Sequence, residues 1–484
     1  MKSLNPREGY SRRVWIQQGL AAATALGQER TSPPVPNRKV IVIGAGLSGL
    51  VAAYELSNAG HEVTIIEARL RPGGRVLTLR DRFGDGLYAE AGATRIPDNH
   101  LLTLQYASLF GLTLDPFRDH DNADVVHVGG RRVRIRNAEP VDWPLPLSPR
   151  ERALGMNGMR AEYILPVPAE VGDITSASWP PDALRKYDQI SWVDFLKSRG
   201  ASTAAITLLN LGAIPPANQM SALAALRAQS WRSKTRNFYK IRGGNDLLPR
   251  EFANRLRGRI IYGAAVTRME QTADAVKVVW TRSGGTQFQT CDRVVCAIPF
   301  SVARKLSVDP PFSPEKRNAI ENLQYESVTK VFLQTDRRFW TGQGDSGFAV
   351  TDLPLTEVWD IGSSQPSPRG LLMSYTTGAN ARRLAEMTEA GRIQSTATQM
   401  EAIHPGFNAH YEGGSSYCWD NDEWARGAYS YLSVGEAFAG VKQALASEGR
   451  IHFAGDHTSA WSGWMQGALA SGIRAASEII RHRI

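Results

Sequence analysis

The residues that first suggest chemistry are three glycines and a carboxylate: Gly44, Gly46 and Gly49 in Gly44-Ala-Gly46-Leu-Ser-Gly49, and Glu67, 23 residues after Gly44. Glycines at this spacing allow a tight turn, bring bare backbone up to a pyrophosphate and let the following helix pack closely. The phosphates then meet the positive N-terminal end of that helix. A carboxylate at the distance of Glu67 accepts from a ribose hydroxyl. The chemistry implied is retention of a dinucleotide, and it requires particular elements around it. Lys39-Val-Ile-Val-Ile supplies a short buried strand before the glycines, Leu47 onward a helix, and His61-Glu-Val-Thr-Ile-Ile-Glu67 a second strand ending on the carboxylate.

Three further constellations could add to this chemistry. Glu67-Ala-Arg69-Leu-Arg71-Pro-Gly73-Gly74-Arg75 offers a second stretch of bare backbone and three guanidinium groups to the same pyrophosphate. Gly92-Ala-Thr-Arg95-Ile-Pro97 lets backbone approach a flat ring just before an arginine. The alternative for Arg95 is a surface pair with Glu90 or Asp98. In Ser327-Val-Thr-Lys330-Val-Phe-Leu-Gln, strand alternation puts Lys330 on the face of Val328 and Phe332. There an ammonium needs a partner, unless the strand is an edge and the lysine reaches solvent. Near the C-terminus a strand ends at Gly455, Asp456 follows as an acceptor, and a helix is expected from about Gly463.

The glycine-rich strand–helix followed by E-A-x-x-R-x-G-G-R resembles the flavin-containing amine oxidases, in which the nucleotide is FAD. The stretch Glu90-Ala-Gly92-Ala-Thr-Arg95-Ile-Pro97 is similar to the L-amino acid oxidase branch, where the arginine clamps the substrate carboxylate. Trp419-Asp-Asn-Asp-Glu-Trp424-Ala-Arg-Gly427-Ala-Tyr429 and the closing Gly455-Asp456 segment resemble the same family. By this resemblance Lys330 holds a water against the flavin. Trp359 occupies the position of a tyrosine that contacts the substrate carboxylate, a departure in which one indole N–H replaces a hydroxyl. The FAD-binding set is then Gly44, Gly46, Ser48, Gly49, Glu67, Ala68, Arg69, Gly74, Arg75, Gly92, Ala93, Thr94, Arg95, Val266, Gly455, Asp456, Gly463, Trp464, Met465 and Ala468. Arg95, Lys330, Trp359, Tyr429, Trp461 and Trp464 are the residues expected at the substrate, their aromatic rings implying an apolar or aromatic side-chain preference. No cysteine stands in the closing segment, where some monoamine oxidases tether the flavin, so noncovalent FAD is expected.

The fold class expected is α/β: a Rossmann-like FAD-binding domain built from discontinuous segments (36–100, 237–322 and 447–484), a mixed-sheet substrate domain (101–144 and 323–446), and a helical insert (145–236). In the insert, Ser191 caps a helix bearing Trp192, Phe195 and Leu196 and stopping at Gly200. The net charge of +9 argues little for nucleic acid, because residues 1–40 alone hold seven Lys or Arg against two Asp or Glu. In the leader, residues 1–35, Arg12-Arg13 precede a short apolar stretch with Ala23-Thr-Ala25 as a candidate cleavage site. This resembles a twin-arginine export signal and predicts a periplasmic or secreted protein, the alternative being an N-terminal helix on a cytoplasmic one. No apolar run reaches the length of a membrane span. Cys291, Cys296 and Cys418 form no disulfide framework, and neither C-x-x-C nor H-E-x-x-H occurs, so no metal is expected. The expected partners are an amino acid substrate and O₂, with a homodimer as the assembly. The activity implied is oxidation of L-amino acids to 2-oxo acids, ammonia and H₂O₂. A monoamine or polyamine oxidase, an amino acid 2-monooxygenase or a non-catalytic flavoprotein on the same scaffold are the alternatives.

Overall fold

Strand Lys39–Ile43 lies at the centre of a five-stranded parallel sheet, flanked by Glu62–Glu67 and Ile260–Tyr262 on one side and by Arg293–Cys296 and Ile451–Phe453 on the other. These five strands come from three separated stretches of the chain. The computed structural model describes residues 37–481 apart from 118–121, 137–140, 166, 168, 177–178 and 213–215, so the expected leader lies outside the described residues.

Both faces of the sheet are covered, which is why its strands read as continuous apolar runs. Val40 and Val42 join a cluster with Leu50 and Ala53 of helix Leu47–Asn58 and Leu469 and Ala476 of helix Met465–Arg481. Ile41, Ile43 and Ile66 point the other way, into a cluster that includes Met269 and Val278 of a four-stranded sheet. The turn from strand to helix depends on glycine twice. Gly44 has φ +99°, and a Cβ on Gly49 would stand 2.0 Å from the Gly44 carbonyl oxygen and 3.1 Å from Val42.

A second, seven-stranded mixed sheet runs in the order Tyr411–Cys418, Val328–Thr335, Gly370–Thr377, Glu357–Asp360, Asp345–Thr351, Ala123–Val128, Arg131–Ile135. The strand carrying Lys330 is therefore interior, paired antiparallel on both sides. Between 145 and 236 the described residues form helices and turns and no named strand. Serines start these helices: Ser148 forms a capping box with Glu151, and the Ser191 hydroxyl accepts from the Asp194 N–H at 3.1 Å. The C-terminal helix begins at Met465, two residues beyond the expected start at Gly463.

Candidate active site

The parallel sheet, the mixed sheet and the helical insert together enclose a cavity of about 660 Å³. At one end it receives the first glycine turn. Gly46 is the N-cap of helix Leu47–Asn58, in an extended conformation (φ −68°, ψ 168°) and with no side chain capping the helix. The first-turn amides and the positive helix end therefore face the cavity. A Cβ on Gly46 would meet no protein atom within 4 Å. Neither torsion nor protein packing requires glycine there; the bare backbone keeps space open for a ligand. The second glycine pair docks on the first turn, with the Gly73 N–H donating to the Ala45 carbonyl at 2.8 Å and Gly46 bridging Gly73.

Glu67 ends its strand on the same wall and is held by the N–H groups of Ala45 at 2.6 Å and Arg69 at 2.8 Å. Burial raises its carboxyl above the usual range while those two amides oppose the rise. Ser48, Ala68, Gly74 and Val266 line this end too, and Met465 and Ala468 bring the start of the C-terminal helix to the wall. An uncapped helix end, the Glu67 carboxylate and open space above Gly46 form one cradle, whose donors and acceptor fit the pyrophosphate and ribose of a dinucleotide such as FAD.

The three arginines of the second motif differ in what they touch. Arg69 is bound bidentately by Asp422, at 2.8 and 2.5 Å. Arg71 donates to the carbonyls of Pro72 and Gly74 within its own turn and does not line the cavity. Arg75 donates to the Ala428 carbonyl at 2.8 Å and to Asp456 at 2.5 Å. Arg69 and Arg75 fix the loop against distant segments with two of their five N–H donors each and still line the cavity, whereas Arg71 closes its own turn. Burial works to raise the Asp456 carboxyl, but the Arg75 guanidinium, His457 and the Gly463 N–H hold it below its ordinary value.

At the other end stand the residues expected at the substrate. The Arg95 guanidinium lies 4.6 Å from the centroid of Trp359, 4.8 Å from that of Phe238 and 5.9 Å from that of Trp464. This is a three-sided aromatic box of the kind that holds a cation. Of the two carboxylates near it in sequence, Glu90 accepts from Thr78 and Asn245, and Asp98 from the N–H groups of Arg236 and Asn237.

Lys330 is 2% exposed, and its ammonium donates to the Glu90 carbonyl (3.0 Å), the Gly92 carbonyl (2.6 Å) and the Thr94 hydroxyl (2.6 Å). The partner that its apolar face demanded is thus the Glu90–Thr94 loop. All three ammonium hydrogens are engaged, so the water-holding role implied by the resemblance requires one of these bonds to be given up. Burial pulls Lys330 down to about 7, against the pull of the Glu90 charge, and Arg95 adds to the fall.

Other expectations are corrected by placement. The Trp359 indole N–H donates to Glu357 at 2.9 Å, so that donor is already taken where a carboxylate contact was expected. Trp461 does not line the cavity; it packs half-buried against the core, while Trp464 and Tyr429 do line it. Gly49 and Gly455 shape the cradle from behind without lining it. Residues missed in the sequence include Glu357, Tyr375, Arg160, Arg227 and Arg232, all on the cavity wall. Alternation from Trp359 could have placed Glu357 on the same face, whereas no local pattern shows which insert residues overhang the cavity. Trp419 also lines the cavity, and its indole donates to the Ala91 carbonyl at 2.8 Å, locking the loop that carries Arg95.

Among the described residues no cysteine or histidine lines the cavity, no group of three His, Cys, Asp or Glu side chains gathers to hold a metal, and no helix is long and apolar enough to cross a membrane. The fold and the cradle define an α/β dinucleotide-binding protein. Comparison with known proteins makes this specific. The description "Flavin containing amine oxidoreductase" matches residues 47–480, and that of "Pyridine nucleotide-disulphide oxidoreductase" matches residues 8–83. The chain belongs to the flavin-containing amine oxidoreductase family, and its cofactor is FAD. It is 34% identical to "Putative L-amino-acid oxidase YobN" of Bacillus subtilis (strain 168), over 92% of this chain and 95% of that one. It is 30% identical to the L-amino-acid oxidase of Vipera ammodytes ammodytes, over 99% of each. In fold it is similar to putrescine oxidase bound to putrescine (TM-score 0.79, 24% identity, 93% of this chain and 100% of that chain). It is also similar to cyclohexylamine oxidase from Brevibacterium oxydans IH-35A (TM-score 0.78, 22% identity, 92% and 99%).

Proposed function

We propose that the protein is an FAD-dependent L-amino acid oxidase, and the observation that carries this reading is Arg95 in its aromatic box. A cavity for simple amines needs no guanidinium beside its aromatic walls; a cavity for amino acids does, because a carboxylate leaving water must regain its hydrogen bonds. FAD held in the cradle would supply the redox chemistry, acceptance of a hydride from Cα and return of two electrons to O₂ as H₂O₂. The side chains of this protein supply the rest. Arg95 binds the carboxylate and so fixes the orientation of Cα. Trp359, Tyr429 and Trp464 exclude water from that end of the cavity. Burial pushes the Tyr375 phenol up to about 12, and its hydroxyl stays a proton donor at physiological pH. Lys330 keeps the Gly92–Thr94 backbone in place from below. The imino acid released adds water and yields a 2-oxo acid and ammonia.

The L-amino-acid oxidase names of relatives that match this chain over nearly its whole length support the reading. Incubating the holoenzyme with L-amino acids, D-amino acids and primary amines tests it. Expected is peroxide, ammonia and 2-oxo acid in equal amounts from L-amino acids. A preference for amines, or an amide and CO₂ in place of a 2-oxo acid, overturns it.

A further inference from the structure

The helical insert brings three arginines to the cavity wall and no acid: Arg160, Arg227 and Arg232. Arg227 is the unusual one. Its side chain is buried, with the residue 6% exposed, and Nη1 has no hydrogen-bond partner. Among the described residues it forms no ion pair; its one neighbour of note is the Trp179 ring, 5.7 Å from the guanidinium. Burial alone lowers it, to about 10, with no carboxylate opposing the fall. A guanidinium buried without an anion is costly, and a fold keeps one where a ligand supplies the anion.

Arg232, on the same helix Ala222–Arg232, opens into the cavity, and its side chain likewise forms no hydrogen bond or ion pair among the described residues. Burial lowers Arg232 while Tyr429, Glu357 and Tyr375 oppose the fall, and Tyr375 also lies in the electrostatic range of Arg95, so both cations face the same end of the cavity. Away from the nucleotide cradle the wall carries Arg95, Arg160, Arg227, Arg232 and Lys330 against the single carboxylate of Glu357. An amino acid with a neutral amine and an uncharged side chain brings one negative charge, which Arg95 uses. The positive excess on the insert side is left over.

We propose that Arg227, assisted by Arg232, is a second carboxylate site, and that the preferred substrates are L-amino acids with an acidic side chain. The α-carboxylate is held at Arg95 and the distal one at the insert. This rests on the L-amino acid oxidase reading, and it replaces the apolar or aromatic preference expected from the tryptophans.

The test compares L-glutamate and L-aspartate with L-glutamine and L-leucine on the holoenzyme, scored by peroxide, and compares glutarate with butyrate as competitive inhibitors. Expected for the parent is a preference in kcat/KM of about tenfold or more for an acidic over an uncharged substrate, and similarly tighter inhibition by glutarate than by butyrate. In Arg227→Met the loss should be about tenfold greater for L-glutamate than for L-glutamine and lie mainly in KM, with Arg227→Lys recovering part of it. Arg232→Met should show the same pattern more weakly. Equal use of L-glutamine and the acidic substrates by the parent, with butyrate inhibiting as well as glutarate, overturns the proposal whatever the variants do. If uncharged L-amino acids are oxidised under those conditions, the oxidase reading stands and only the second site falls; if no L-amino acid yields peroxide, both fall.

Discussion

Replacing Arg95 with methionine keeps an unbranched apolar stem and removes the guanidinium that lies 4.6 and 4.8 Å from the Trp359 and Phe238 centroids. With ring faces on three sides, the cation sits where little water can reach a docking carboxylate. The guanidinium must then supply the hydrogen bonds that water gave, and its planar fork suits two carboxylate oxygens at once. Removing one partner of such a desolvated pair costs about 2–5 kcal/mol. At 1.36 kcal/mol per tenfold, kcat/KM for L-amino acids should fall by about 30- to 5,000-fold. Arg95→Lys should recover only part of this, since an ammonium retains the charge but neither bridges two oxygens nor stacks on the indole. Amines without a carboxylate should be poor substrates of the parent and lose little in the mutant. The assay is the initial rate of peroxide formation, normalised to FAD content so that a misfolded fraction is not scored as lost chemistry. Arg95→Met within about threefold of the parent, a difference under about 1 kcal/mol, refutes the carboxylate role.

The cradle makes a paired prediction. Gly46→Ala adds a Cβ that meets no protein atom, so the apoprotein should lose at most about 1 kcal/mol while FAD affinity falls sharply; Gly49→Ala puts its Cβ 2.0 Å from the Gly44 oxygen and should lower the apoprotein's Tm. Apoprotein melts with FAD titrations decide it, and unchanged FAD affinity in Gly46→Ala removes the pyrophosphate from that position. Heat or acid should release free FAD into the supernatant, and flavin left on the precipitated chain would contradict noncovalent binding. Burial depresses Lys330 from 10.5 to about 7, so between those values the unfolded chain binds the extra proton and stability from this group rises with pH, the full penalty remaining below pH 7. Lys330→Met should therefore show a Tm relative to the parent that is highest near pH 6 and declines toward pH 9; a pH-independent difference refutes the shift. For location, we propose export through the leader, and Arg12→Lys with Arg13→Lys should retain the protein inside the cell on fractionation; an unchanged distribution sinks the proposal.

What the amino-acid sequence determines by itself is the nucleotide cradle, because every requirement there is local. Glycine spacing, an apolar run before it, a helix after it and a carboxylate at the end of the next strand all follow from neighbours in the chain. The requirement of a partner for Lys330 was legible for the same reason, since strand alternation says which face a side chain takes. It does not say what stands opposite that face. Nothing near Arg69 or Arg75 in the chain shows that the fold brings Asp422, 353 residues away, to the one guanidinium and Asp456, 381 away, to the other. Trp461 and Trp464 are three residues apart and look equivalent in sequence, yet only the turn into helix Met465–Arg481 decides that one packs half-buried against the core and the other lines the cavity. The arginines of the insert appear in sequence as ordinary helix residues. Only the docking of the helices over the cavity buries Arg227 away from both water and acid, because desolvation is a property of everything packed around a charge and is written in no single segment of the chain.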